Sequence, residues 1–232
     1  CYIHYIINFS MRTVFSNPFD STELNEKVDG VVLKIGPFDY TFARANVDRI
    51  EIDFDERNVR INDSLDSTAI LREAIRAFFI IIANELNLNT EFPNGKQAHL
   101  DDIAYAHLSW LFMNWFDDST FEWEYNTPYP DRINVGNVRY IVHNMKEVSY
   151  QSTQGIQYGL SDHVLGRIYV IESDRGVVVP DSIKNQTFWH EYVHCLFVQA
   201  NEDYANDIEY VVDAYATQIA LFMKQFETFI DK

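Results

Sequence analysis

Basic residues are scarce in this sequence. It has 18 Lys and Arg against 35 Asp and Glu, which gives a formal net charge of −17. Nucleic acids and anionic membranes are both negatively charged, so a protein with this balance is repelled by them unless its Lys and Arg are clustered. The sequence contains no such cluster. We therefore expect neither nucleic acid nor membrane as a partner.

Cysteine and long apolar runs are also rare. The two cysteines, Cys1 and Cys195, lie far apart, which excludes a disulfide framework and favours a reducing, cytoplasmic compartment. The longest apolar run, Ala77 to Ala83, is too short to span a bilayer. Residues 1–10 are apolar but lack the basic start and long hydrophobic region of a signal peptide, and Met11 is an alternative initiator.

One motif stands out in the second half of the chain: His190-Glu191-Tyr192-Val193-His194 reads H-E-x-x-H. On a helix, residues i and i+4 share a face, so both imidazoles can converge on one metal ion. Zinc is commonly bound by His nitrogen, and a Glu beside the first His is placed to take a proton from the water that zinc activates. The motif predicts a zinc site with Glu191 as general base.

The residues around the motif favour this interpretation. Apolar side chains flank it on both sides, which predicts a well-buried helix in which two unpaired imidazoles would be costly. The alternative is a pair of hydrogen-bonded core histidines with a surface Glu. Cys195 lies off the metal face and is expected to be a small core residue rather than a ligand.

Hydrophobic periodicity predicts an α+β fold. In the first half we expect strands at Val31–Ile35, Phe38–Phe42, Arg49–Phe54 and Val59–Ile61, and helices at Ser67–Leu88, capped by Asp66 or Ser67, and His99–Phe116. Asn89–Gln97 is a predicted loop and Asp117–Asp131 a predicted linker. In the second half we expect strands within Ile133–Val142, Ile156–Leu160 and Arg167–Ile171. The motif helix is predicted at Ser182–Ala200, capped by Asp181 or Ser182, and a final helix at Asp207–Ile230. Predicted loops lie at Gly176–Asp181 and, with polar residues, at Asn201–Asn206.

The two halves repeat one order of elements. The aligned segments are Leu33–Phe42 with Ile133–Val142, Asn58–Ser64 with Arg167–Ser173, Ala69–Phe79 with Thr187–Phe197, and Ile103–Ala106 with Asp213–Ala216. We infer a tandem duplication with domains at residues 1–130 and 131–232. Arg72 and Arg76 then stand where the second half has His190 and His194, and a guanidinium cannot bind a cation. The first half is thus predicted to be a degenerate copy that binds no metal.

A catalytic zinc site usually has three protein ligands and one open position. The acidic candidates downstream of the motif are Glu202, Asp203, Asp207, Glu209 and Asp213. The first three fall in or beside the polar loop, where we expect solvated side chains. Glu209 and Asp213 lie on the last helix, and the spacing leaves both open. Asp213 can be a ligand or can accept a hydrogen bond from an imidazole N–H.

With H-E-x-x-H followed by Glu209-Tyr-Val-Val-Asp213-Ala-Tyr-Ala216, residues 133–224 resemble the minimal zincins of phages and mobile elements. These proteins are related to the ImmA/IrrE-type metallopeptidases. The resemblance implies a zincin-like sheet packed on an active-site helix and a second helix. It also implies a gluzincin-type ligand set of His190, His194 and Glu209, Zn²⁺ as cofactor, and a specific protein or peptide substrate. Asp213 stands where the pattern commonly has Asn, and residues 1–130 match only through the repeat.

Two functions remain open at this point. The first is zinc-dependent peptide-bond hydrolysis with Glu191 as base and His163, Tyr158 or Tyr210 as candidate donors to the transition state. The second is a catalytically silent zinc-containing interaction protein. Its candidate docking residues are aromatic, although we expect the tryptophans to be core: Trp110, Trp115, Phe121, Trp123 and Tyr125. The Glu of the motif favours the enzyme, because a structural zinc site needs no base and closes its fourth position.

Overall fold

The computed structural model describes residues 30–88, 100–113, 121–122, 128–146, 151–152, 155–156 and 158–230. They form an α+β fold with two mixed β-sheets and four longer helices, in a two-part repeated layout. The predicted loop at Asn89–Gln97, both ends of the helix predicted at His99–Phe116, and most of the predicted linker lie outside the described residues.

The first half forms one sheet and two helices. Its elements are β1 (Val31–Ile35), β2 (Phe38–Ala45), β3 (Ile50–Asp53), β4 (Asn58–Asn62), α1 (Ser67–Glu85) and α2 (Asp102–Met113). Alternating burial in β1, β2 and β4 turns one sheet face to the core, as the sequence pattern predicts. Asp66 caps α1 by accepting from the backbone N–H of Ala69, which confirms one of the two predicted caps.

The second half forms a larger sheet, two small hairpins and three helices. Its strands are β5 (Phe121–Glu122), β6 (Arg132–Val135), β7 (Val138–Met145), β8 (Gln151–Ser152), β9 (Gly155–Ile156), β10 (Gly159–Asp162), β11 (Arg167–Ile171), β12 (Ser173–Asp174) and β13 (Val177–Val178). Its helices are α3 (Asp181–Ala200), α4 (Asp203–Asn206) and α5 (Glu209–Ile230).

The two sheets share one topology. The first has the order β1-β2-β4-β3, and four strands of the second follow the same order, β6-β7-β11-β10, with β5 added outside β6. In both, the central pair is parallel and the outer pairs are antiparallel. The turn glycines also correspond: Gly36 has φ of 60° and Gly136 has φ of 58°, a conformation that glycine adopts most readily. The structure therefore has the repeated order of elements that the sequence predicts.

The helices of both halves pack together into one continuous core. Phe78 of α1 lies 4.8 Å from Phe222 of α5 between ring centroids, and Phe112 of α2 lies 6.1 Å from Tyr192 of α3. No helix within the described ranges is long and apolar enough to cross a membrane.

Four local predictions are wrong. Helix α3 begins directly after Pro180 and has no side-chain cap, because the Pro180 carbonyl accepts the free N–H groups of Ile183 and Lys184. The loop predicted at Gly176–Asp181 contains β13, and the polar loop predicted at Asn201–Asn206 contains the one-turn helix α4. Trp110 is 46% exposed and stacks on His107, so it is not a core residue. The docking candidates Trp115, Trp123 and Tyr125 lie outside the described residues.

Candidate metal centre

Helix α3 presents both histidines of the H-E-x-x-H motif on one side. Its apolar residues are buried against the sheet and the neighbouring helices, which turns His190 and His194 to the half-buried remaining face. The two imidazole Nε2 atoms lie 3.1 Å apart. The i, i+4 spacing thus produces the convergence predicted from the sequence.

Glu209 reaches this point from the first residue of α5. Asn201 ends α3 in the left-handed conformation (φ 61°), and α4 then carries the chain back toward the histidines. Glu209 Oε2 lies 3.2 Å from His190 Nε2, and Oε1 lies 3.9 Å from His194 Nε2. Ligand atoms of His190, His194 and Glu209 all fall within 4.8 Å of one another, so these residues form a group that can hold a metal ion.

The opposite nitrogen of each imidazole has its own partner. His190 Nδ1 lies 2.7 Å from Asp213 Oδ1, and His194 Nδ1 lies 2.9 Å from Asn206 Oδ1. An ionised carboxylate only accepts hydrogen bonds, so Asp213 fixes the proton of His190 on Nδ1 and leaves the Nε2 lone pair for a metal. Of the two roles left open for Asp213, this geometry matches the orienting one.

Asn206 is one of the site residues that the sequence did not predict. It lies at the end of α4, after the chain has turned back from the end of α3, and it belongs to no motif of fixed spacing. Only the position of α4 therefore brings it to the His194 imidazole.

The protonation state of His194 also suits a ligand. Burial, followed by the charge of His190, lowers its pKa, which favours the neutral imidazole that a metal requires. With both protons on Nδ1, two nitrogen lone pairs and a carboxylate face one another with no hydrogen between them. A bound cation would offset the repulsion between these acceptor atoms.

Glu191 is buried beside the metal group. Its side chain is 5% exposed, and burial raises its pKa to about 7, while the charge of His190 and hydrogen bonds from Ser161 act in the opposite direction. The Ser161 hydroxyl and backbone N–H both donate to the carboxylate. Strand β10 approaches so closely that a Cβ on Gly159 would lie 2.6 Å from Glu191 Oε1. The sequence predicted Glu191, but neither Gly159 nor Ser161.

The three candidate transition-state donors lie in different places. His163 is half-buried, its Nδ1 is 3.4 Å from the Tyr140 hydroxyl, and burial and then the charge of His194 lower its pKa. Tyr210 instead donates to the Leu86 carbonyl of the first half at 3.2 Å. Tyr158 is partly exposed at the start of β10. His163 interacts electrostatically with His194 of the metal group.

The first half has an ion-pair cluster at the corresponding place. Glu73, which aligns with Glu191, is 2% exposed, and its carboxylate pairs with Arg49 at 2.6 Å and with Arg76 at 3.2 Å. Arg76 also lies 3.5 Å from Asp102. The aligned stretches 69–79 and 187–197 have the same burial pattern except at Ala74 and Tyr192. The buried glutamate is therefore common to both halves, but guanidinium groups surround it in the first.

The free thiol of Cys195 is fully buried in the core, as predicted, and burial raises its pKa.

Comparison of the chain with protein-family models, curated proteins and solved structures yields no match.

Proposed function

We propose that this protein is a zinc-dependent metallopeptidase that hydrolyses a peptide bond in a specific protein substrate. The observation that carries the proposal is the convergence of His190 Nε2, His194 Nε2 and a Glu209 carboxylate oxygen beside a buried glutamate. It gives physical support to the resemblance to minimal zincins, in which the same three residue types hold the metal.

The donor set suits zinc. Tetrahedral zinc with bonds of about 2.0–2.1 Å to nitrogen separates its ligand atoms by roughly 3.3 Å. The corresponding distances here are 3.1 Å between the imidazole Nε2 atoms, 3.2 Å from His190 Nε2 to Glu209 Oε2 and 3.9 Å from His194 Nε2 to Glu209 Oε1. The first two match tetrahedral zinc, and the third would shorten on metal binding. Two neutral imidazoles and one carboxylate leave one position open in a tetrahedral site.

When bound, zinc would polarise the scissile carbonyl and lower the pKa of a coordinated water. Glu191 would accept the proton of that water and pass it to the leaving amine. Ser161 holds the Glu191 carboxylate through two hydrogen bonds, and Gly159 leaves room for it against β10. Asp213 and Asn206 would keep the two imidazoles in the tautomer that binds metal.

A silent, structural zinc site is the less favoured function. Such a site closes its fourth position with Cys or His. Within the described residues, no fourth donor joins His190, His194 and Glu209. The nearest cysteine, Cys195, is buried in the core. The open position and the buried glutamate therefore favour hydrolysis.

Strand β10 gives the substrate a place to bind. It is an edge strand of the second sheet, and among the described strands it pairs with β11 alone. Its inward residues Gly159 and Ser161 contact Glu191, so a peptide added along the outer edge of β10 would run beside the catalytic group. An extended peptide can pair with such an edge through its backbone.

The test of this function is cleavage of a proteome-derived peptide library by zinc-loaded protein, with new termini identified by mass spectrometry. We expect a narrow set of cleaved peptides. Glu191→Gln keeps the size of the side chain and removes the base, so it should retain zinc and cleave about 10²–10⁴-fold more slowly. Equal cleavage by both proteins would reject Glu191 as the base. Zinc binding without cleavage would leave the silent interaction protein.

Asp213→Ala tests the orienting role at the same site. Because the carboxylate fixes the His190 tautomer, its loss should weaken zinc affinity by about 10–100-fold, measured by competition with a chelating dye. Asp203→Ala is the matched control, since it removes an exposed carboxylate of α4 away from the imidazoles. A loss of zinc affinity in Asp213→Ala as large as the loss in Glu209→Ala would contradict the orienting role.

A further inference from the structure

Helix α5 belongs to the metal centre on one side and to the first half on the other. Its first turns carry Glu209 and Asp213, which contact His190. Further along, the Gln218 side-chain oxygen accepts from the Gly36 backbone N–H at 2.9 Å. Gln225 accepts from the Lys34 N–H at 2.8 Å and donates to the Lys34 carbonyl at 3.1 Å.

The glutamine side chains of α5 thus bind backbone groups of the first half. Lys34 lies on β1, an edge strand of the first sheet. The Gln225 amide binds both the N–H and the carbonyl of Lys34, as the backbone of a neighbouring strand would. Gly36 lies in the β1–β2 turn. The Tyr210 hydroxyl donates to the carbonyl of Leu86, the residue that ends α1.

Apolar packing reinforces the same contact. Tyr215 lies 5.7 Å from Phe79 between ring centroids and donates to its carbonyl at 3.4 Å, and Phe222 packs on Phe78. The first half thus contacts α5 from Tyr210 to Gln225.

The position of Glu209 depends on α5, whereas the positions of His190 and His194 depend on α3. His190 and His194 project from α3, which packs on its own sheet and is buried on several sides. Glu209 is 72% exposed, and the contacts described for its carboxylate are the two imidazoles alone. Its position therefore follows from where α5 begins, and Tyr210, the next residue, is the nearest anchor to the first half.

We propose that the first half is a positioning scaffold for the metal centre: by holding α5 at Tyr210, Gln218 and Gln225, it places Glu209 on the two histidines. This inference rests on the proposed zinc site and adds to it a role for the half that has no metal ligands of its own. Metal binding and docking of the halves are then coupled, and each strengthens the other by the same factor.

The double variant Tyr210→Phe/Gln218→Leu tests the coupling without altering any residue of the metal group. It removes the hydroxyl that binds Leu86 and the acceptor that binds Gly36. We expect zinc affinity to fall about 10-fold or more, as for loss of other groups that orient a metal ligand. The Co²⁺-loaded variant should also lose visible absorption, which is intense only in tetrahedral coordination. Gln218→Glu keeps an acceptor for Gly36, so its combination with Tyr210→Phe should show a smaller loss of affinity than the double variant with Gln218→Leu.

Asp66→Ala is the control. It removes the side-chain cap of α1, within the first half and at the end of that helix opposite Leu86. It should lower the free energy of unfolding and leave zinc affinity unchanged. If Gln218→Leu prevents folding, Tyr210→Phe alone carries the test, because Tyr210 is exposed.

The outcomes separate the inference from the proposed function. Wild-type protein that binds one zinc, with affinity unchanged in the double variant, would overturn the scaffold role and leave the site. An equal loss in Asp66→Ala would also overturn it, because the effect would then be one of general stability. Wild-type protein that binds no zinc would overturn both.

Discussion

His190→Ala is expected to reduce bound zinc from about one per chain to almost none. His190 is the donor closest to both others, at 3.1 Å from His194 and 3.2 Å from Glu209, so its loss leaves two ligand atoms 3.9 Å apart. Glu209→Ala should weaken binding rather than abolish it, since both imidazoles remain. Elemental analysis of protein purified with zinc and then desalted measures both effects.

Arg72→Ala is the matched control for this experiment. Arg72 aligns with His190 on α1, and its replacement should leave the metal content at one per chain. Two zinc ions in wild-type protein would mean that the first half also binds metal, against the prediction from Arg72 and Arg76. No zinc in supplemented wild-type protein would remove the basis of the enzyme proposal.

The second large effect is expected on stability, at the ion-pair cluster of the first half. Arg76→Met removes one of two guanidiniums from Glu73, whose carboxylate is almost fully buried. The remaining partner, Arg49, is mostly exposed and compensates the charge less well. Leaving a buried charge unpaired costs about 3–5 kcal/mol in the free energy of unfolding. Because Arg49 still pairs with Glu73 at 2.6 Å, we expect a loss at the lower end of that range, which urea denaturation measures.

The double variant Glu73→Leu/Arg76→Met should recover most of that loss. Apolar residues of similar volume can replace a buried ion pair at little cost, whereas a single replacement leaves a buried charge. Arg49 and Asp102 are exposed enough to be solvated once their partners are gone. A double variant as unstable as Arg76→Met would contradict this account and would show that the cost comes from lost packing of the Arg76 side chain.

The cluster also explains why the first half keeps its glutamate. In the second half, Glu191 lies beside His190 and the group that can hold a metal. In the first half, Glu73 has two guanidiniums instead. The guanidiniums offset the cost of burying a carboxylate in the first half, and a bound metal would do the same in the second.

Much of the fold followed from local pattern. Alternation over Leu33–Phe42 and Ile133–Val142, with glycine between the strands, predicted both hairpins, because side-chain period and turn conformation are properties of neighbouring residues. The errors at Pro180 and in the loop before it came where no periodic signal exists and tertiary contacts decide the backbone.

The candidate site divides in the same way. Sequence by itself determined that His190 and His194 share one helix face and that Glu191 follows at once, since a helix relates residues four apart by geometry alone. It also determined that Arg72 and Arg76 take the corresponding positions in the first half. It left Glu209 and Asp213 open, because both lie on one face of α5 and either can reach a metal from that face.

Only the tertiary structure shows which of the two carboxylates lies at the facing Nε2 atoms. The start of α5 places Glu209 at the Nε2 atoms and Asp213 one turn further, at Nδ1 of His190. The same packing brings Asn206, Ser161 and Gly159 to the site from other elements. These positions depend on how α4, α5 and β10 pack around α3, and on the first half that holds α5, which are long-range contacts that no local spacing encodes.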